Sequence, residues 1–380
     1  MQQPLSLPEG RQLAAWYAAT GRGRGATSRQ SLRPSDRPMS QTDGPMDPSE
    51  RSRAETGARA PASTKAGASP ALTNRSLREG PRSRIETSLD GRVTIEIAES
   101  AGYCWGVERA IDLAVEAAQD KSRPVLTHGE LIHNSYTVDK LAREHGITHV
   151  DDHLAAPAGA ALVIRAHGVP PAVKREAKAA GLQVIDGTCP LVDIIHRKAV
   201  GLVKEGYDVF VVGQREHPEI RGIVASVAEA GGQATVLESI EEAEALPPLK
   251  RAGVVIQSTL IAKKAGLIAA ALVPKAREVR VVNTICHVTT ERQEEAEHLA
   301  STADVILVVG SPHSSNSRKL VEVCAAHGVP TFQVESVADI RREWFEGKRH
   351  VGIHAGASTP AEIIDQIVQQ LRQDLSLAPA

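Results

Sequence analysis

Four cysteines stand in this chain of 380 residues, Cys104, Cys189, Cys286 and Cys324, and no two form a Cys-x-x-Cys pair. That spacing gives no support to a zinc ribbon, a thioredoxin-type motif or a ferredoxin-type run. Three of the four share one setting. VTIEIAESAGYC, LQVIDGTC and VRVVNTIC each read as a strand that ends in cysteine, and each is followed by a helical pattern: WGVERAI, PLVDIIH and HVTTERQ. Ligands bind at the carboxyl ends of strands in open α/β sheets. Buried packing is the ordinary fate of a free cysteine, and Cys324, within the helical run KLVEVCAAHG, reads that way. Three thiols at equivalent strand-to-helix turns point instead to one site to which each contributes a thiolate. Three thiolates leave a tetranuclear iron-sulfur cluster with one iron lacking a protein ligand, an open position suited to Lewis-acid or redox chemistry on a substrate oxygen. Zinc held by three sulfurs and a water satisfies the same ligand count.

A second set of residues suits an anion. SSNS follows the strand-like DVILVVGS and precedes RKLVEV, so its hydroxyls and backbone N–H groups face outward from a helix N-terminus. In ASTPAEII, Thr359 reads as N-cap, Pro360 as the first helical residue and Glu362 as the third, a capping-box pattern beside Ser358. Two helix starts suit a diphosphate, although each alone reads equally as ordinary capping. Histidine near such sites donates a charge-assisted hydrogen bond to phosphate where lysine and arginine are scarce. Glu219, in His217-Pro218-Glu219 after DVFVVGQRE, reads alone as a solvated loop residue or a helix-start acid.

These residues need strands and helices to position them. From Val93 onward ALVIRAHG, LQVIDGTC, DVFVVGQ, AGVVIQST, VRVVNTIC, DVILVVGS and HVGIHAGA read as short strands. VDKLAREHG, AVKREAKAAG and RKLVEVCAAHG read as helices closed by glycine. Alternation of this kind implies an α/β protein with parallel sheets, in three comparable units that each present one cysteine. Up to about residue 90 the chain is rich in Arg, Ser, Pro and Gly, without period, and reads as a disordered tail. A transit peptide is the alternative, opposed by Asp36, Asp43, Asp47, Glu50 and Glu55; a start at Met39 or Met46 is another. The net charge of -2 and 3% aromatic content give no reason to expect nucleic acid or an anionic membrane as partner. No apolar run approaches the roughly 18 residues of a membrane span.

The ordered set GYCWGVERAI, ELIHN, AHGV, DGTCPLV, HPEIRG, QSTL, the C-x-x-T-x-x-RQ pattern from Cys286 to Gln293, GSPHSSNS and AGASTP resembles the 4-hydroxy-3-methylbut-2-enyl diphosphate reductase family over roughly Val93 to Leu371. The resemblance implies three similar α/β domains with small parallel sheets in a pseudo-threefold arrangement around a central 4Fe-4S cluster. The expected division is a tail over 1–90, a first domain over 91–185 to which 354–380 return, a second over 186–283 and a third over 284–353. It implies that Cys104, Cys189 and Cys286 bind the cluster and that His133, His167 and His217 face the substrate. Glu219 matches the family's proton-delivering acid, Ser258 and Thr259 its hydroxyl pair, and Ser314, Ser315, Asn316 and Ser358 its diphosphate-binding groups.

The implied reaction is reductive dehydroxylation of an allylic diphosphate to isopentenyl and dimethylallyl diphosphate, the last step of the methylerythritol phosphate route. Ferredoxin or flavodoxin is the implied electron donor, since no G-x-G-x-x-G or G-x-x-x-x-G-K-[ST] fingerprint appears. A bacterial cytoplasmic location is expected, or a plastid if the tail is a transit peptide. Ser258 stands where the family usually has threonine; Arg165, His287 and Val288 also depart from its pattern. A non-redox iron-sulfur enzyme, with the cluster acting only as a Lewis acid, and a cluster-based sensor or storage protein are the readings from other classes.

Overall fold

The computed structural model describes residues 83–376, so most of the expected tail, residues 1–82, lies outside the described residues. The strands are β1 (Ser83–Thr87), β2 (Thr94–Ala98), β3 (Val125–His128), β4 (Thr148–Val150), β5 (Ala161–Ile164), β6 (Gln183–Asp186), β7 (Asp208–Val212), β8 (Ala234–Leu237), β9 (Leu249–Ile256), β10 (Ala276–Val282), β11 (Val305–Val309), β12 (Thr331–Val334) and β13 (His350–Ala355). They form three sheets, in the orders β4-β3-β5-β6, β8-β7-β9-β10 and β12-β11-β13-β2-β1. Every pairing is parallel except that of β1 with β2.

One rule describes all three sheets. Strands run second, first, third, fourth across each, and in the last sheet the fourth place is filled by β2, from the other end of the chain. A cysteine follows the fourth strand every time: Cys189 after β6, Cys286 after β10 and Cys104 after β2. The sheets therefore depart from the division at 91–185, because β2 pairs with β13 and not with residues 125–186. The open edge of β13 needs a parallel partner, and β2 supplies it. The tail expected to reach residue 90 likewise gives way to β1, whose Ser83 Oγ donates to Glu96 at 2.6 Å.

Why the runs are apolar is clearest at β11, VILVV, where every residue is buried. Successive side chains alternate between faces. Val305, Leu307 and Val309 pack against Ile363, Ile364, Ile367, Val368 and Leu371 of the helix Ala361–Asp374. Ile306 and Val308 face Ala296, Leu299, Leu320 and Cys324 on the opposite side. A sheet covered by helices on both faces loses the polar alternation of a half-exposed one. Ile367 lies at the centre of its helix stripe, and Ile367→Ala removes about 2–5 kcal/mol. The alternation in β2 is not solvent-facing either: Glu96 is buried, with Nε2 of His350 at 2.9 Å. No helix among the described residues is long and apolar enough to cross a membrane.

Candidate active site

Each of the three cysteines is the N-cap of a helix: Cys104 of Trp105–Ala117, Cys189 of Pro190–Lys204 and Cys286 of His287–Thr302. Each backbone N–H is anchored in the same way. Cys104 donates to the Ala357 carbonyl at 3.1 Å, Cys189 to Ala166 at 3.0 Å and Cys286 to Ser258 at 3.0 Å, in each case the second residue past the third strand of its sheet. The next residues along are Ser358, His167 and Thr259, so the turns that carry expected substrate groups also hold the thiols. All three thiols line one cavity. Burial pushes the Cys189 thiol up to about 11 and raises Cys286, against the Leu191, Val192, Val288 and Thr289 N–H groups that favour a thiolate. A bound metal reverses that balance. Space is kept for the sulfurs: a Cβ on Gly106 would lie 2.6 Å from Cys189 Sγ. Three free, half-buried sulfurs, two of them met by backbone donors, converging from three helix N-termini, fit an iron-sulfur cluster.

Strand order reverses between the first and third strands of each sheet, where a crevice opens at the carboxyl ends. The first strands lead to His133, to His217 with Glu219, and to Ser314, Ser315 and Asn316; the third lead to His167, to Ser258 with Thr259, and to Ser358. All of these residues line the cavity that holds the three thiols. Hydrogen bonds join the crevices. Thr259 and Ser315 hydroxyls meet at 3.0 Å, and Ser358 Oγ donates to the His133 carbonyl at 3.2 Å.

Glu219 is 1% exposed. One carboxylate oxygen accepts the Ser258 N–H at 2.7 Å and the other the Ser258 hydroxyl at 2.6 Å. Burial raises its pKa above the usual carboxylate range in spite of those bonds, so it holds a proton more readily than a surface glutamate. The serine at 258 thus retains the hydroxyl contact.

The three histidines gather beside it, with ring centroids 4.4 Å apart for His133 and His167, 5.5 Å for His167 and His217, and 6.0 Å for His133 and His217. Burial, reinforced by mutual repulsion and by Arg165, lowers His217 to about 3 and His167 well below its ordinary range; His133 is lowered chiefly by burial. Their ligand atoms lie within 4.8 Å of one another, a spacing that a metal ion could span. The tautomer argues otherwise. His217 Nδ1 accepts the Glu219 N–H at 3.2 Å, which leaves the ring proton on Nε2, and an Nε2–H donates to an anion instead of ligating a metal.

Two buried donors wait for a partner here, Asn316 Nδ2 and, depending on its tautomer, His167 Nδ1. Unpartnered donors lining a cavity are free to take up an anionic ligand there. Ser314 caps its helix as its sequence indicates, accepting the Ser317 N–H at 3.3 Å. The capping box at Thr359 does not form. The helix begins at Ala361, Thr359 donates to the Val309 carbonyl at 2.9 Å, and Glu362 pairs with Lys140 at 2.6 Å. Two polar lining residues carry no expected role, Thr289 and Arg292, both buried on the helix that Cys286 caps. The C-x-x-T-x-x-RQ pattern contained them; only their burial marks them out.

Known proteins share this fold. A relative from Anaeromyxobacter sp. (strain Fw109-5), named 4-hydroxy-3-methylbut-2-enyl diphosphate reductase, is 41% identical over 283 residues, covering 73% of this chain and 96% of the relative. A solved structure of (E)-4-hydroxy-3-methyl-but-2-enyl diphosphate reductase, the terminal enzyme of the non-mevalonate pathway, matches with TM-score 0.57 and 35% identity over 73% of this chain and 98% of that one. The corresponding reductase structure from Plasmodium falciparum matches with TM-score 0.68 and 27% identity, covering 75% of this chain and 88% of that one. The LytB protein family matches residues 95–372, which takes in every strand from β3 to β13, nearly all of β2 and every residue of the cavity, and the chain belongs to that family.

Proposed function

We propose that the chain reduces (E)-4-hydroxy-3-methylbut-2-enyl diphosphate, taking in two electrons and two protons, releasing the hydroxyl group as water and yielding isopentenyl and dimethylallyl diphosphate. One observation carries the reading: a single cavity joins three thiols, a buried protonatable carboxyl and unpartnered donors suited to an anion. A 4Fe-4S cluster held by Cys104, Cys189 and Cys286 supplies, when bound, single electrons and one iron open to an oxygen ligand. Those electrons come from an external carrier such as ferredoxin or flavodoxin.

The chain's own groups do the rest. Asn316, Ser314, Ser315 and Ser358 hold the diphosphate at a helix N-terminus. His217 offers an Nε2–H, while the anionic diphosphate draws protons onto His133 and His167 that burial otherwise withholds from them. Glu219, bonded to Ser258 and biased by burial toward its protonated form, gives the proton with which the hydroxyl leaves as water, and Thr259 helps to orient that oxygen. Val107, Ile132, Leu191, Val192 and Val288 exclude water around the hydrocarbon part.

The test is turnover by protein purified without oxygen, followed by mass spectrometry of the products with and without reduced methyl viologen. Formation of both diphosphates only with reductant is expected. Substrate consumption without reductant would establish the non-redox Lewis-acid reading in its place.

A further inference from the structure

Arg292 is the largest fully buried side chain among the described residues. It lies six residues past Cys286, and its guanidinium joins two other segments. Nη1 donates to the Ala355 carbonyl at 2.9 Å and Nη2 to the Gly102 carbonyl at 2.9 Å. Gly102 has φ of 129°, which an L-residue rarely adopts, and stands two residues before Cys104. The backbone of Arg292 is held from the same side: its carbonyl accepts from His354 Nε2 at 2.8 Å, while His354 Nδ1 takes the Ala355 N–H at 2.8 Å. His354 is thereby fixed as a neutral donor.

Among the described residues no carboxylate lies within ion-pairing distance of the guanidinium, and Glu295 directs its oxygens to Ser100. The Nε–H is buried with no acceptor. Carbonyl oxygens satisfy hydrogens but do not neutralise a buried cation, which is costly to leave uncompensated. Arg292 lines the cavity of the three thiols, and Cys104 leads the negative groups that act on its charge, ahead of Glu295, Cys286 and Glu291.

We propose that Arg292 is a positioning residue for that set: its two carbonyl bonds lock the Gly102 turn and so place Cys104, and its charge stabilises the negative charge that the thiolates and a reduced cluster carry. This rests on the reading of Cys104, Cys189 and Cys286 as cluster ligands.

The experiment compares the full wild-type chain with Arg292→Lys and Arg292→Gln, each reconstituted with iron and sulfide without oxygen. Iron and sulfide per chain are measured, then the midpoint potential by spectroelectrochemical titration, with thermal melting of the metal-free proteins as the control for folding. Arg292→Lys keeps the charge but cannot span two carbonyls; loading should fall several-fold while the loaded fraction titrates at the wild-type potential. Arg292→Gln loses both; at a fixed ambient potential its ratio of reduced to oxidised cluster should fall about tenfold, ~59 mV for one electron. Equal loading and an unchanged potential in Arg292→Gln overturn the proposal while leaving the cluster reading intact. Should Arg292→Gln fail to fold, wild-type loading in Arg292→Lys overturns the placement of Cys104. A wild-type chain that takes up no iron overturns the cluster reading and this proposal with it.

Discussion

The crevices of the second and third sheets begin alike and end in different chemistry. After β7 the chain caps the helix Pro218–Glu229 with His217; after β11 it caps Ser315–Ala326 with Ser314. The second helical residue is Glu219 in one and Asn316 in the other, both buried. Glu219 has its oxygens satisfied from within the protein by Ser258, whereas Asn316 Nδ2 has no partner. A helix N-terminus ordinarily favours a carboxylate over a carboxylic acid. At Glu219 burial outweighs that preference and raises the pKa. Under the proposed function, the same topological slot serves as a proton donor where it holds a self-contained acid and as an anion receptor where it holds an unsatisfied amide.

The largest effect should come from making the two slots alike. Glu219→Gln keeps the size and the Ser258 contacts but removes the acid, and kcat should fall by about 10² or more with little change in KM. Wild-type kcat should also decline as pH rises through the raised pKa of Glu219, a limb absent from the variant. Steady-state kinetics with a chemical reductant and matched iron content measures both. Near-wild-type kcat in Glu219→Gln would mean that the proton has another source and that the comparison fails.

The reverse exchange should act on binding. Asn316→Ala removes a donor to a charged group, worth roughly 1.5–3 kcal/mol, and should raise KM about tenfold or more with a smaller change in kcat. Asn316→Asp adds a like charge beside the diphosphate and should raise KM further. A fall in kcat at unchanged KM in either variant would place Asn316 at the reacting end of the substrate.

How far this was legible in the sequence follows the same physics. β5, β7, β11 and β13 read clearly, because burial on both faces makes them nearly continuous apolar runs. The second strands, β4, β8 and β12, went unread: each is a short outer strand with burial confined to part of its length, so THV, ATVL and TFQV carry little signal. The identity of β2's parallel partner was hidden, since nothing local tells a strand that its neighbour, β13, lies 256 residues further along, from Thr94 to His350. Cys104, Cys189 and Cys286 stood out because their residue type and their position at a strand end coincide. Arg292 did not, because an arginine on a helix reads as solvated and only the fold shows it buried. At Thr359 the pattern misled: Thr-Pro-Ala-Glu fits a capping box, yet the hydroxyl bonds across the sheet to Val309.

A smaller effect tests the caps. His217 titrates at about 3 where 6.5 is ordinary, so the folded chain refuses a proton that the unfolded chain accepts. The associated stability is fully present above pH 6.5 and is lost as pH falls toward 3; at pH 5 about 2 kcal/mol of it has gone. His217→Asn keeps a good N-cap without the titration. Melting of the metal-free proteins at pH 7 and pH 5 should show the wild type losing several degrees more than the variant. Equal losses would mean that His217 takes up its proton without cost in the folded state.

The smallest expected effect concerns what sets the third sheet apart at its edge. The fourth strands of the other two sheets, β6 and β10, end their sheets uncovered, whereas β2 carries β1 along its outer side. β1 is tied by the Ser83 bond to Glu96, by ion pairs of Arg84 with Asp365 and Glu86 with Arg372, and by Arg372 Nε to the Thr87 carbonyl at 3.1 Å. Those ion pairs are largely exposed and contribute little. Removing residues 1–87 should therefore lower stability by about 1 kcal/mol relative to a chain beginning at Ser83, roughly 2 °C in Tm. It should leave kcat and iron content unchanged, because β1 touches neither the thiols nor the crevices. A chain beginning at Ser88 that loses iron would show that the covered edge holds β2, and through it Cys104, in place, and that the third crevice depends on a strand the other two do without.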